Sequence, residues 1–183
     1  NLSLYGNFLT ALPDEIHMLT NLQVLDIGNN QISNFDENMF KDIKNLNSFA
    51  AGNNLITRFP GFIPDFGNLA ELDLSHNEIT EIPKEISNLE NLRWLFLSHN
   101  TIHEIPPEIG QLTRLKTLDL SANQIKSIPA SIGQNTELSV LNLSHNYLSE
   151  LPAELAQLEK LSLLNVGFNE IGQFPEAIFE LEE

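Results

Sequence analysis

A stretch of 23 residues that recurs along the chain constrains its fold more than any other feature. Residues 69–91 and 92–114 are near copies of each other, with apolar residues at positions 1, 4, 6, 11, 14, 18 and 21 and asparagine at position 9. A fixed period of this length is typical of arrays in which each unit packs only on its neighbours. The 183 residues are therefore predicted to form one continuous domain.

The same spacing divides the chain into about eight units. Their predicted boundaries are 1–21, 22–45, 46–68, 69–91, 92–114, 115–137, 138–160 and 161–183. In the second unit, residues 36–45 replace the segment that contains proline elsewhere, and we expect a longer helical turn there. Neither terminal unit has a distinct polar cap, so the chain is expected to be a fragment of a longer protein.

Each unit predicts a strand followed by a helical turn. Positions 3 to 7 alternate, which places leucines inward and three residues outward on a short strand. Seven units have proline at position 15, where it suits the first position of a helical turn, and four have glutamate two residues later, near the positive end of that turn. The pattern predicts an α/β solenoid, a horseshoe with a concave parallel β-sheet and short helical or 3₁₀ turns on the convex side.

Asparagine occupies position 9 of every unit. These residues are Asn7, Asn30, Asn54, Asn77, Asn100, Asn123, Asn146 and Asn169. A side-chain amide both donates and accepts hydrogen bonds, so it can satisfy the backbone groups of the tight turn that follows each strand. The periodic spacing indicates a structural role for this asparagine column.

Residues 105–133 and 138–161 carry a family resemblance. They resemble the 23-residue Leu-Pro-x-x-Ile class of intracellular leucine-rich repeat proteins, which includes Ras-suppressor proteins, polarity scaffolds and plant Ras-group-related proteins. Similar repeats occur in bacterial proteins and in Roco GTPases. The resemblance implies a concave sheet that binds other proteins, but it does not select a partner.

Composition excludes several functions. Nine basic residues against 25 acidic ones give a net charge of −16, which repels nucleic acid phosphates and anionic lipids, so neither nucleic acid nor membrane is an expected partner. The chain has no apolar run long enough for a membrane span and no leader pattern. Cysteine is absent, which favours a reducing compartment and a cytoplasmic location.

The candidate chemical groups do not predict an enzyme. Asp73 and Asp119 should lie two strands apart, too far to share a proton. His76 and His99 should be neighbours at position 8, but a metal centre needs at least three ligands. A turn residue beside the asparagine column is the preferred interpretation, with pH sensing by adjacent imidazoles as an alternative. We expect no catalytic residues, metal, cofactor or small-molecule substrate.

The outward strand positions predict a protein-binding surface. Trp94 and Phe96 should project from one central strand, away from the core leucines. The other predicted contact residues are Glu71, Asp73, Asp119, Val140 and Leu163. Aromatic anchors ringed by carboxylates favour a partner with an apolar residue beside arginine or lysine. Alternatively, the two aromatic side chains only stack on their neighbours along the sheet.

Two classes of function follow. The first is a non-catalytic scaffold that binds a protein through the concave face, in small-GTPase or phosphatase signalling, as the resemblance implies. The alternative is a secreted bacterial effector or a surface recognition receptor that uses the same face. Cysteine-rich caps, which would favour an extracellular array, are absent from the sequence.

Overall fold

The strands of successive units pair side by side in chain order. A computed structural model describes residues 1–173, 175 and 176, and within them eight parallel strands form one open sheet. The strands are β1 (Leu2–Ser3), β2 (Val24–Asp26), β3 (Ser48–Ala50), β4 (Glu71–Asp73), β5 (Trp94–Phe96), β6 (Thr117–Asp119), β7 (Val140–Asn142) and β8 (Leu163–Asn165). The predicted solenoid with a parallel sheet is confirmed.

Identical repeat positions face each other across the sheet. Leu72 pairs with Leu95, and Leu95 with Leu118, in the registers of β4, β5 and β6. These inward side chains are fully buried, as are the leucines two positions later in the same units. Because the register never slips, residues at positions 3, 5 and 7 form continuous rows on the outward side of the sheet, called here the concave face.

Short 3₁₀ helices lie on the opposite side. They span Asp14–Met18, Ile63–Asp65, Lys84–Asn88, Pro107–Gln111, Ala130–Gln134 and Ala153–Gln157. Glutamates lie in the first turn of four of them, as predicted: Glu15, Glu85, Glu108 and Glu154. This arrangement confirms the predicted short helical turns on the convex side.

The sequence suggested that the position-15 prolines occupy the first residue of each helix. In the structure they lie before it. Pro83 precedes the helix with extended backbone angles, φ −72° and ψ 151°, and its carbonyl accepts the first helical hydrogen bond from the Ile86 N–H at 3.0 Å. Proline fits here because its fixed φ suits both conformations and its missing N–H needs no partner. Only the additional Pro107 lies at the first position of its helix.

The expectation of a longer helical turn in the second unit is wrong. Residues 37–42 form successive turns, in which the N–H groups of Met39 and Ile43 donate to the carbonyls of Asp36 and Phe40. Aromatic packing explains this path. The ring of Phe40 lies 4.3 Å from that of Phe62, centroid to centroid, in a cluster completed by Phe35, Phe49 and Phe66. Tilted and edge-to-face contacts between these rings hold the segment against the core as separate turns rather than as a continuous helix.

None of the helices in residues 1–173, 175 and 176 has the length and apolar character needed to cross a membrane.

Candidate functional site

The asparagine column ties each unit to the one before it. Asn100 donates its side-chain N–H groups to the carbonyls of Leu74, Leu97 and Ser98, at 3.0, 3.1 and 3.3 Å. Its Oδ1 accepts the backbone N–H of Ile79 at 2.9 Å. The side chain is buried, and Leu74 and Ile79 belong to the preceding unit. These contacts give the column a structural role along the margin of the sheet.

The residue before each of these asparagines has a left-handed backbone conformation. His76, His99 and His145 have φ of 52°, 53° and 56°, and Gly6 has 71°. Non-glycine residues adopt this region mainly in tight turns. The rings of His76 and His99 stack 4.1 Å apart and both side chains are exposed, so the predicted neighbours do meet on the surface.

No group of three or more histidine, aspartate or glutamate residues suited to a metal ion occurs in the part of the chain that the structure describes. His76 has His99 beside it, but Ala122 takes the equivalent place in the unit after His99. The stacked pair therefore provides two ring nitrogen donors at most from adjacent units, which is fewer than a structural zinc site uses.

The central strand β5 presents two aromatic rings on the concave face. Trp94 is 37% exposed and Phe96 is half-buried, whereas Leu95 and Leu97 are fully buried. Neither aromatic ring stacks on another ring within the described residues. Trp94 and Phe96 thus leave apolar surface open to solvent at the middle of the sheet.

Carboxylates flank these rings in register. Glu71 on β4 pairs with Trp94, while Asp73 and Asp119 pair with Phe96 from its two sides. Neighbouring parallel strands are spaced roughly 4.8 Å apart, so each carboxylate starts next to an aromatic side chain. The two aspartates are separated by β5, as the sequence predicted, which is unsuitable for sharing a proton.

These aspartates also have local hydrogen-bond partners, which the repeat pattern did not predict. Asp73 Oδ1 accepts the backbone N–H of Ser75 at 2.9 Å and its hydroxyl at 2.6 Å, and Asp119 bonds Ser121 in the same way. Asn142 makes the equivalent bonds to Ser144. The signal was present as Asp-x-Ser, since an aspartate side chain often bonds the backbone two residues on. Each aspartate therefore orders its own strand end.

An apolar strip continues from Trp94 toward the C-terminal side of the concave face. The position-3 row runs Trp94, Thr117, Val140 and Leu163 in the strand register. Leu163 is 48% exposed and Val140 is half-buried. All seven predicted contact residues thus lie on one face, but the structure contains no partner that tests their role.

The comparisons with known proteins agree with this geometry. Sequence models described as leucine-rich repeats match residues 1–56 and 137–158, and a leucine-rich repeat region matches residues 65–145. A solved leucine-rich repeat protein of Leptospira interrogans has 40% identity and a TM-score of 0.93, over 98% of this chain and 46% of that one. The chain belongs to the leucine-rich repeat family. Membership of the 23-residue Leu-Pro-x-x-Ile class stays a prediction.

Other solved leucine-rich repeat proteins show the same fold. Internalin C2 of Listeria monocytogenes has 25% identity and a TM-score of 0.88, over 99% of this chain and 76% of that one. The plant peptide hormone receptor RGFR1, solved in complex with RGF2, has 29% identity and a TM-score of 0.78, over 97% and 33%. A comparison with curated proteins gives no match. The chain spans less than half the length of the Leptospira protein.

Leucine-rich repeat domains generally mediate protein–protein interactions and are typically non-catalytic. This coarser function applies to the chain through its family. The predicted absence of catalysis and of a cofactor stays a prediction, as does the predicted location in the cytoplasm.

Proposed function

We propose that this leucine-rich repeat chain is a scaffold that binds a protein partner through its concave face. The observation that carries the proposal is the register of β4, β5 and β6, which places Trp94 and Phe96 among the carboxylates of Glu71, Asp73 and Asp119. Large exposed aromatics at the centre of an interface commonly supply most of the binding energy. The surrounding negative charge selects a partner with an apolar residue beside arginine or lysine.

The supporting features extend beyond the aromatic pair. Val140 and Leu163 prolong the apolar row along the sheet, so an extended partner segment can contact several units. The net charge of −16 accelerates association with a basic partner and slows it for an acidic one. A buried aromatic contact with charged surroundings accounts for both affinity and selectivity.

The test compares capture of proteins by the parent chain and by Trp94→Ala. We expect a bound protein to be lost with Trp94→Ala and Phe96→Ala, and calorimetry on the purified pair to show a loss of about 2 kcal/mol or more for Trp94→Ala. Tyr147→Ala is the matched control, since Tyr147 is 50% exposed but follows the bend at residues 145–146, outside the concave face. Circular dichroism should show that all three variants remain folded.

A charge variant separates the long-range electrostatic attraction of the partner from its direct contacts with the concave face. Asp73→Asn should mainly slow association and lower its salt dependence, because Asn142 shows that an amide preserves the local bonds to the following serine. A partner that binds Trp94→Ala and Phe96→Ala as tightly as the parent chain would move the site off this face. The acidic edge formed by Glu81, Glu104 and Glu150 is then the next surface to test.

Two biological settings use the same face. The cytoplasmic setting, in small-GTPase or phosphatase signalling, follows from the lack of cysteine and from the sequence resemblance. The alternative, a secreted bacterial effector or a surface recognition receptor, is supported by the similarity to leucine-rich repeat proteins of the bacteria Leptospira and Listeria and to a plant peptide hormone receptor. Fractionation of source cells distinguishes them: a chain that added protease cannot reach until the cells are lysed supports the cytoplasmic setting, whereas a chain found in the medium or cleaved on intact cells supports the alternative.

A further inference from the structure

A wide, open depression, called here the cavity, lies beside the start of strands β2 to β5 at the margin of the concave face, and most of the side chains that line it are exposed. Its volume is about 720 Å³, within the range of roughly 300–1,000 Å³ that small-molecule sites occupy. Uncharged amide side chains line most of it, and the side chain of Trp94 forms one end. We propose that this cavity binds a neutral saccharide.

A gap in one row of side chains explains why the cavity is there. The residue at position 2 of each unit lies just before the strand, and this row reads Gln23, Asn47, Ala70, Arg93, Lys116, Ser139 and Ser162, of which Gln23, Asn47, Ala70 and Arg93 line the cavity. Ala70 is the only small apolar member, and it lies between the long side chains of Asn47 and Arg93. Ala70 is thus the smallest side chain of this row that lines the cavity, and it leaves the surface open between Asn47 and Arg93.

Asparagine occupies the last position of the second, third and fourth units, and each of these side chains donates one hydrogen bond to the preceding unit. Asn45 and Asn68 donate to the carbonyls of Thr20 and Lys44, both at 3.1 Å, and Asn91 donates to that of Gly67 at 2.8 Å. The Oδ1 atoms of Asn45 and Asn68 accept no hydrogen bond from a described residue. Asn45 and Asn68 thus each present a positioned acceptor and a remaining N–H to the cavity, which lowers the entropy cost of binding, whereas Asn91 Oδ1 already accepts a hydrogen bond from Arg114.

These groups fit hydroxyls better than they fit ions. A hydroxyl both donates and accepts, as does an amide, whereas an ionised ligand needs a compensating charge. Arg93 is the only charged lining residue, and the chain as a whole carries −16. The exposed indole of Trp94 provides a flat apolar face for the C–H side of a sugar ring.

A peptide main chain is disfavoured at the same place. Adding a strand requires free backbone groups, but the carbonyls of Gln23, Asn47 and Ala70 each already accept two N–H groups from the following unit. The ligand must therefore bind through side chains. This selects a compact ligand with many hydroxyl groups rather than an extended strand.

The test uses the fluorescence of Trp94, because it is the only tryptophan in the chain. Neutral oligosaccharides of glucose, mannose, galactose and N-acetylglucosamine are titrated as separate probes, beside heparin fragments and a neutral glycine–asparagine peptide. We expect at least one neutral saccharide to change the emission saturably, with a Kd of about 1 mM or tighter.

Two variants and one control variant test whether that signal comes from the cavity. Ala70→Gln fills the gap with the residue that position 2 already has at Gln23, and it should weaken binding by at least about tenfold. Ser139→Gln is the matched control, since Ser139 holds the same repeat position outside the cavity and should leave binding unchanged. Gln23→Ala removes a lining amide that makes no side-chain hydrogen bond to a described residue, so it should weaken binding without affecting thermal unfolding.

Saccharide binding is a second function beyond the proposed protein binding. Either one can fail its test without the other. Phe96→Ala should impair partner binding and spare saccharide binding, because Phe96 does not line the cavity. Equal saccharide affinity in Ala70→Gln and Ser139→Gln would overturn the proposal. A response to heparin alone or to the peptide alone would also overturn it. So would the lack of a response to every neutral saccharide.

Discussion

At the residue scale, the amide of Asn100 joins two adjacent units. It satisfies carbonyls on both sides of the boundary and the N–H of Ile79 in a buried setting. Asn7 is a natural contrast, because it is exposed and bonds only the carbonyls of Leu4 and Tyr5 in its own unit. The same residue type therefore stabilises the fold to different extents at the two positions.

This contrast gives a first prediction. Asn100→Ala should lower the free energy of unfolding by about 1–3 kcal/mol, since the buried N–H of Ile79 loses its partner, while the carbonyls of Leu74, Leu97 and Ser98 keep other donors. Asn7→Ala should cost less than about 1 kcal/mol, because water replaces the amide at an exposed site. Urea unfolding followed by circular dichroism measures both. Similar losses for the two variants would contradict the role assigned to the interunit bonds.

The surface pair of Lys160 and Glu137 gives a second prediction at this scale. A hydrogen bond from Lys160, together with its charge, lowers the pKa of Glu137, and Lys116 adds a weaker attraction. A carboxyl whose folded pKa is depressed stabilises the fold above its unfolded pKa, and this contribution is lost as the pH falls through the folded pKa. Because the pair is exposed, the effect on stability should be small.

Carboxyl NMR titration tests the assignment. Lys160→Ala should raise the pKa of Glu137 toward its ordinary value, and Lys116→Ala should raise it by a smaller amount. An unchanged pKa in Lys160→Ala would show that the two side chains do not pair in solution.

At the element scale, glycine lets consecutive 3₁₀ helices pack closely. A Cβ on Gly110, in the helix Pro107–Gln111, would lie 2.3 Å from the backbone oxygen of Ser131 in the next helix. A Cβ on Gly133 would lie 2.7 Å from the backbone oxygen of Glu154. The convex layer therefore has no room for even a methyl group at these contacts.

The third prediction follows from this close approach. Gly110→Ala should destabilise the chain by about 1–3 kcal/mol, because the neighbouring backbone must move to relieve the overlap. Gly67→Ala is the control, since nothing lies within 4 Å of its Cβ, and it should be neutral or slightly stabilising. The midpoint of thermal unfolding compares the two. A stable Gly110→Ala would show that the helices are further apart than described.

The elements themselves were largely predictable from the sequence. Alternation within each unit predicts the strands, and the fixed period predicts their register, because identical residues must stack on each other. The path of residues 37–42 was not predictable, since it depends on contacts between Phe40 and rings such as Phe62, far away in the chain. Periodicity describes what neighbouring units share, and this packing is an exception to it.

The candidate site was predictable only in part. Alternation alone indicates that Trp94 and Phe96 point outward, and register alone places Asp73 and Asp119 beside them. The cavity at Ala70 could not be predicted from the sequence, because its shape depends on how the carbonyls of the preceding units hold Asn68 and Asn91. The spacing in the sequence indicates on which side of the sheet a residue lies. It does not indicate how deep the surface is at that place.

At the scale of the whole molecule, the array has equivalent backbone probes in successive units. The position-6 N–H donates to the position-5 carbonyl of the next strand in each case. These bonds run from Leu4 to Asp26, Ile27 to Ala50, Ala51 to Asp73, Leu74 to Phe96, Leu97 to Asp119, Leu120 to Asn142 and Leu143 to Asn165, with lengths of 2.7 to 2.9 Å. Because the local geometry is the same, differences in exchange report on the opening of whole units.

The last prediction is a gradient of hydrogen exchange along this 183-residue chain. Leu2 and Leu4 at one end and Leu164 and Val166 at the other are only partly buried, whereas Leu95 and Leu97 in the centre are fully buried. Each unit contacts only its neighbours, so a terminal unit can open while losing one interface and a central unit must lose two. The Leu4 amide should exchange at least about tenfold faster than that of Leu97, a difference of about 1.4 kcal/mol in opening free energy. Mass spectrometry or NMR of exchanging amides measures this, and equal protection of Leu4 and Leu97 would mean that the array opens as a single unit.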